Sequence, residues 1–224
     1  MSPPVPKPIP RFIADATREG LPYGRWAQRL RDELAKACEP HVEEAGGPPG
    51  EVTWFPERSW GGRVYVPAIA PIEGHDGEYF GYVSFVRPTE GESDEGGAGE
   101  PGDFKAAADF TDVVVEDNPD WEIDLNEEVI GSWHGEADRT GDVTLVWGTP
   151  LVRGAEAATA ELDGETVDQT PVIDERFTLI ALDAVKGFYD DYYLEIKLFG
   201  KRDAPLATES LYEAPEEAQP GEPA

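Results

Sequence analysis

The segment WHGEAD, residues 133–138, carries His134, Glu136 and Asp138 at every second position. An extended backbone would set one imidazole and two carboxylates on a single side, a donor set that suits a transition metal. Two adjacent ligands are all such a row presents well, and with 47 acids in 224 residues the spacing also arises by chance. A second stretch, DWEIDLNEE at 120–128, alternates Asp120, Glu122, Asp124, Asn126 and Glu128 with Trp121, Ile123 and Leu125. Calcium requires oxygens that converge from irregular backbone, whereas side chains along one strand face stand in a row. The stretch therefore reads as a half-buried strand with its acids in water.

Other chemistry is thinly represented. His41 follows a helical pattern, where it suits the negative end of the dipole, and His75 sits among turn residues in EGHDGEY. The chain contains no G-x-S-x-G elbow, P-loop, dinucleotide fingerprint or zincin motif. Cys38, the one cysteine, falls on an apolar helical stripe, which makes it packing rather than nucleophile and excludes an intrachain disulfide. The aromatics invite a different use. Most should be core, but Trp60, Tyr189 and Tyr193 would form a contact surface if one sheet face exposed them together.

Charge narrows the functional classes. Lys and Arg number 18 against 47 Asp and Glu, a formal charge of −29, so direct binding to nucleic acid is not expected: it needs clustered bases. The imbalance is uneven, because residues 1–40 hold seven bases and five acids while the remainder holds 11 and 42. The basic first segment either lies on its own acidic body or faces another molecule, and Arg18, Arg25 and Arg29 are its candidate contacts. No apolar run approaches the length of a membrane span, and MSPPVPKPIPRF lacks the apolar stretch of a secretory signal, so the expected place is the cytoplasm or the inside of a virus-like particle.

The elements that would position these residues follow from pattern. Five prolines in the first ten residues predict an extended arm, 1–10, before a helical segment, 11–45. Within it Trp26, Leu30, Leu34 and Cys38 recur every fourth residue, and Pro40 with GGPPG at 46–50 should stop the helix. From residue 51 to 212 the period falls to two, in EVTWFP, GRVYVPAIA, EYFGYVSFV, FTDVVVE, DWEIDLN, VIGSWHG, DVTLVWG, ATAELDG, ERFTLIALDAV, YYLEIKLFG and LATESLYE, with SWGGR, DRTGD and LDGET as hairpin turns and KAAADF as one turn of helix. The acidic loop 89–103 and tail 213–224 lack large apolar residues and are expected to be disordered.

These patterns predict an α+β fold, mainly antiparallel β as a sandwich or partly open barrel, with an N-terminal helical segment. The function they favour is a non-catalytic protein-interaction, structural or regulatory one. Its partner would be a protein, of basic character to match the body, or further copies of the chain, with no cofactor, nucleic acid or membrane. The alternative is a small carboxylate- or metal-dependent hydrolase centred on His134, Glu136 and Asp138. A third reading treats the acidity as adaptation to concentrated salt and leaves function open.

Overall fold

The computed structural model describes residues 26–87, 101–134, 140–162, 164–184 and 194–211, without the side chains of 134, 140 and 182–184. Helix α1 (Ala27–Cys38) buries Ala27, Leu30, Leu34 and Cys38, a stripe spaced to lie on one side of a 3.6-residue helix. Pro40 does not end the helical region. It opens a single 3-10 turn, Glu39–His41, where its missing N–H is no loss, and a short α2 (Val42–Ala45) follows before Gly46 closes the segment at φ +89°.

Among the described residues, twelve antiparallel strands then build three sheets. The first holds β1 (Thr53–Trp54), β2 (Arg58–Trp60), β3 (Arg63–Pro71), β4 (Glu78–Val86) and β5 (Gly102–Thr111), in the order β1-β3-β4-β5 with β2 also on β3. The second holds β6 (Ile123–His134), β7 (Thr140–Pro150) and β10 (Phe177–Ala184), with β7 central. The third, ordered β12-β11-β8-β9, comprises β8 (Ala157–Leu162), β9 (Glu165–Pro171), β11 (Leu194–Gly200) and β12 (Ala204–Ser210). Gly61 and Gly62, at φ +57° and +78°, make the tight β2–β3 hairpin that SWGGR announced. LDGET likewise joins β8 to β9 through Gly164 at φ +73°.

The layers stack as helix, first sheet, second sheet, third sheet, with a separate core in each gap. Leu30, Leu34 and Cys38 meet Val66, Tyr79 and Val83 in the first. Phe55 and Tyr65 meet Leu145, Trp147 and Ile180 in the second. Val146, Phe177 and Leu179 meet Ala160, Leu194 and Ile196 in the third. Along β7 and β10 the middle sheet is thus apolar on both faces, and one carboxylate ties all three sheets together. Asp168 of β9 accepts from Arg58 Nη2 of β2 at 2.6 and 2.5 Å and from the Ile180 N–H of β10 at 2.7 Å.

Several sequence expectations change. KAAADF is not helical: residues 105–110 belong to β5, paired with β4 so that Ala107 lies opposite Tyr82, and covered by α1 through Phe104, Ala106, Ala108 and Phe110. Pairing and burial outweigh alanine's helical preference there. Gly102 and Asp103, assigned to the acidic loop by composition, already start this strand. FTDVVVE splits, ending β5 at Thr111 and forming a 3-10 turn at Val115–Asp117. DWEIDLN and VIGSWHG are one strand, β6, with a bulge between Val129 and Gly131. ETVDQTP, unassigned by pattern, is β9. The proline arm, most of the acidic loop, the DRTGD turn up to residue 139 and the acidic tail lie outside the described residues.

Candidate functional site

Two polar constructions stand out, one between the first and second sheets and one on the outer side of α1. The inter-sheet site begins at the turn between β3 and β4. Gly77 there has φ +126°, and a Cβ on it would come within 2.7 Å of the Thr111 carbonyl oxygen, so only glycine fits. Glu78 follows as the first residue of β4, paired with Pro71 on one side and Thr111 on the other. Along β4 it shares a face with Phe80 and Tyr82, both of which pack in the core between the first two sheets. Glu78 therefore points toward the second sheet at the end of that core.

The side it meets is the polar face of β6. Register places Asp124 opposite Thr149, Asn126 opposite Trp147 and Glu128 opposite Leu145, on the same face as the Trp147 and Leu145 side chains. The acids of DWEIDLNEE therefore divide: Asp120 and Glu122 are exposed as expected, whereas Asp124 and Glu128, with Asn126 between them, are half-buried and turned toward the first sheet. Alternation correctly separated them from Ile123 and Leu125, which pack against the third sheet. What it cannot reveal is a sheet on the polar side as well.

Bringing these groups together changes their acidity. Burial, with the Asp124 and Glu116 carboxylates beside it, pushes the Glu78 carboxyl from its ordinary 4.5 up to about 7, against the opposing effect of a hydrogen bond with the Asn126 side chain. Asp124 is also raised, by burial first and then by Glu116. Further along the same face, burial and then Glu128 and Tyr65 raise Tyr82, with Arg63 acting the other way. A carboxyl that exchanges its proton near neutrality beside a second carboxyl and an amide can act as a general acid or base.

The second construction is an open groove of about 450 Å³ beside α1, lined by Gln28, Arg31, Asp32 and Ala35 of the helix and by Gly50 and Glu51 of the loop before β1. Arg29, on the same helix, is half-exposed; its guanidinium lies 4.3 Å from the centre of the Phe104 ring and its Nε 3.8 Å from Glu33. Lys36 reaches Glu33 at 3.5 Å.

The remaining candidates from sequence are distributed as follows. Trp60 lies in the core between the first two sheets, its ring over Gly131, where a Cβ would sit 2.6 Å from Cζ3. His134 ends β6, and its side chain, with Glu136, Asp138, Arg18, Arg25, Tyr189 and Tyr193, lies outside the described residues. Among the described residues no group of three or more His, Cys, Asp or Glu side chains is placed to hold a metal ion. Cys38 is fully buried, and burial raises its thiol to about 11. No helix among the described residues is long and apolar enough to cross a membrane. Sequence reasoning passed over Glu78, although EYFGYVSFV held a signal: both alternating sets, Phe80 with Tyr82 and Tyr79 with Val83, are aromatic or apolar. An acid in line with either set faces a covered surface.

Compared with protein-family models, with curated proteins and with solved structures, the chain matches none.

Proposed function

We propose that this protein is a non-catalytic interaction protein whose N-terminal helical segment contacts a protein partner or a neighbouring subunit. The observation that carries this reading is the division of charge, with residues 1–40 holding seven of the 18 bases but only five of the 47 acids. A basic segment joined to so acidic a body favours encounter with acidic surfaces, its own or another protein's. The geometry of α1 supports it. The inner stripe of the helix is committed to the first sheet, while Arg31 stays exposed in the lining of the groove and Lys36 stays exposed beside Glu33. Sedimentation of the full chain at low and high salt, with an Arg31→Glu, Lys36→Glu variant alongside, tests it. Association that weakens with salt and with charge reversal is expected. A strictly monomeric protein that forms no α1 cross-link to any protein in its native extract would overturn it.

One observation favours a second reading, an acid–base hydrolase. A carboxyl near 7 beside another carboxyl is what proton transfer at neutral pH requires. Under this reading Glu78→Gln and Asp124→Asn each lower hydrolysis of a responsive ester or glycoside by about a hundredfold or more. A panel of such substrates that the wild-type chain turns over no faster than the double variant would eliminate it.

A further inference from the structure

An unpaired strand edge offers another chain a row of N–H and C=O groups, and folded proteins blunt such edges with short strands, bulges, prolines or charges. Among the described residues every sheet edge but one carries such a device. β1 and β2 run only two and three residues, β6 is bulged, β9 and β12 carry Pro171 and Pro205, and the Ile180 N–H of β10 is taken by Asp168. β5 differs. It is 10 residues long, has β4 as its one strand partner among the described residues, keeps regular register from Lys105 to Thr111 and holds three alanines at its middle.

Its backbone shows which groups face outward. Ser84 Oγ reaches the Lys105 carbonyl at 3.4 Å, the Ala107 carbonyl lies against Gly81, and the Thr111 carbonyl lies 2.7 Å from where a Cβ of Gly77 would stand. These residues thus turn their polar groups toward β4, and Phe104, Ala106, Ala108 and Phe110 turn theirs to the open edge. The Phe110 N–H agrees, being covered by the Asp109 carboxylate of its own chain at 2.8 Å. The side chains of the same four residues pack under α1, so Lys105, Ala107 and Asp109 stand on the opposite face. The Lys105 and Asp109 side chains are 67% and 60% exposed.

We propose that β5 binds β5 of a second copy of this chain, antiparallel about a two-fold axis through Ala107. Ala106 and the partner's Ala108 then exchange N–H···O bonds, Phe104 meets the partner's Phe110, and Lys105 lies opposite the partner's Asp109, each contact occurring twice. The charges choose this register. An axis at Lys105 or Asp109 sets like charges against each other, and one at Ala106 or Ala108 leaves Lys105 opposite an alanine or a threonine. In its own chain Lys105 is 4.0 Å from Asp103, which Arg63 already holds. The edge is distinct from the outer bases of α1, so the pairing does not rest on the function proposed above.

Disulfide trapping reads the register. At Ala107 the two copies approach most closely, with Cα atoms about 4.5 Å apart as in any non-hydrogen-bonded pair, which is within the span of a disulfide. Cys38 is fully buried and does not compete. In salt of about 0.5 M, which screens both the formal charge of −29 on each copy and the exposed bases of α1, Ala107→Cys with oxidised glutathione is expected to give a linked dimer. Lys105→Cys and Asp109→Cys should each link at least about fivefold less alone, and should link to one another when mixed. Adding Arg31→Glu and Lys36→Glu leaves the Ala107→Cys yield unchanged. By sedimentation, Ala106→Pro, which removes only an outward N–H, should weaken the wild-type dimer about tenfold or more. Ala107→Cys linking no better than Lys105→Cys alone, or wild type monomeric at about 100 μM, would overturn the proposal and leave the edge to another segment of this chain or to another protein.

Discussion

Replacing Asp168 with Ala should destabilise the protein more than any other single change of a polar side chain described above. Its carboxylate holds the Arg58 guanidinium at 2.5–2.6 Å and the Ile180 N–H at 2.7 Å, with the two side chains only 25% and 12% exposed. Removing it strands a donor on β10, which costs about 1–3 kcal/mol. It also leaves Arg58 largely desolvated without a partner. A fully buried cation in that state costs about 3–5 kcal/mol, and Arg58, a quarter exposed, recovers part of this through water. The sum expected is about 3–4 kcal/mol, set against typical domain stabilities of about 5–15 kcal/mol. Asp168→Asn keeps an acceptor for Ile180 and loses only the ion pair, so about 1–2 kcal/mol is expected. Urea unfolding followed by tryptophan fluorescence gives both values, and a cycle with Arg58→Met isolates the pair, whose coupling should exceed about 1 kcal/mol. If Ala costs less than about 1 kcal/mol, or Asn costs as much as Ala, then Asp168 does not tie the sheets together in the way its contacts imply.

Other outcomes follow from the same geometry. Because the folded state holds Glu78 near 7 rather than 4.5, its contribution to stability is full below pH 4.5 and is lost as pH rises to about 7. The ceiling is about 3 kcal/mol at about 1.4 kcal/mol per pH unit, and since Glu78 keeps some contact with water, Glu78→Gln should gain about 2 kcal/mol relative to wild type at pH 8 and little at pH 5; chemical denaturation at both values checks this. Gly131→Ala puts a methyl within 2.6–2.7 Å of the Trp60 ring, and a loss of about 1–3 kcal/mol is expected, recovered in part by Trp60→Leu in the same chain. Cys38, fully buried and raised to about 11, should resist a thiol reagent in the native protein at pH 8 and react promptly in denaturant.

Much of the architecture could be read from residue order alone. Glu78–Val86 is legible as EYFGYVSFV between turn residues, and α1 in the four-residue spacing of Leu30, Leu34 and Cys38. The hairpin glycines at 61 and 62 are equally plain. The candidate site was not legible, for a definite reason. Period-two alternation tells which residues share a face but not what that face meets, so Asp124 and Asn126 were sorted correctly and then placed in water. The missing clue lay in the partner strands. DVTLVWG and FTLIALDA hold apolar residues at consecutive positions, the mark of a strand covered on both faces, and β6 pairs with the first of these. Ala106–Ala108 failed differently, because alanine carries no period of its own and only the covering helix and the pairing with β4 make it a strand.

A middle sheet greasy on both sides has a consequence for how this molecule comes apart. Whichever neighbour leaves first, the β6–β7–β10 ribbon presents a slab of Val, Leu, Phe and Trp side chains with no replacement cover, so half-opened molecules are the sticky ones. What keeps two such molecules from meeting is mutual repulsion, set by a formal charge of −29. Mild acid, by returning protons to the carboxylates, relieves the crowding of Glu78 and Asp124 while dissolving that repulsion. The same protons that tighten each intact copy remove the colloidal barrier protecting the damaged ones, and clumping should begin before the folded form itself gives way.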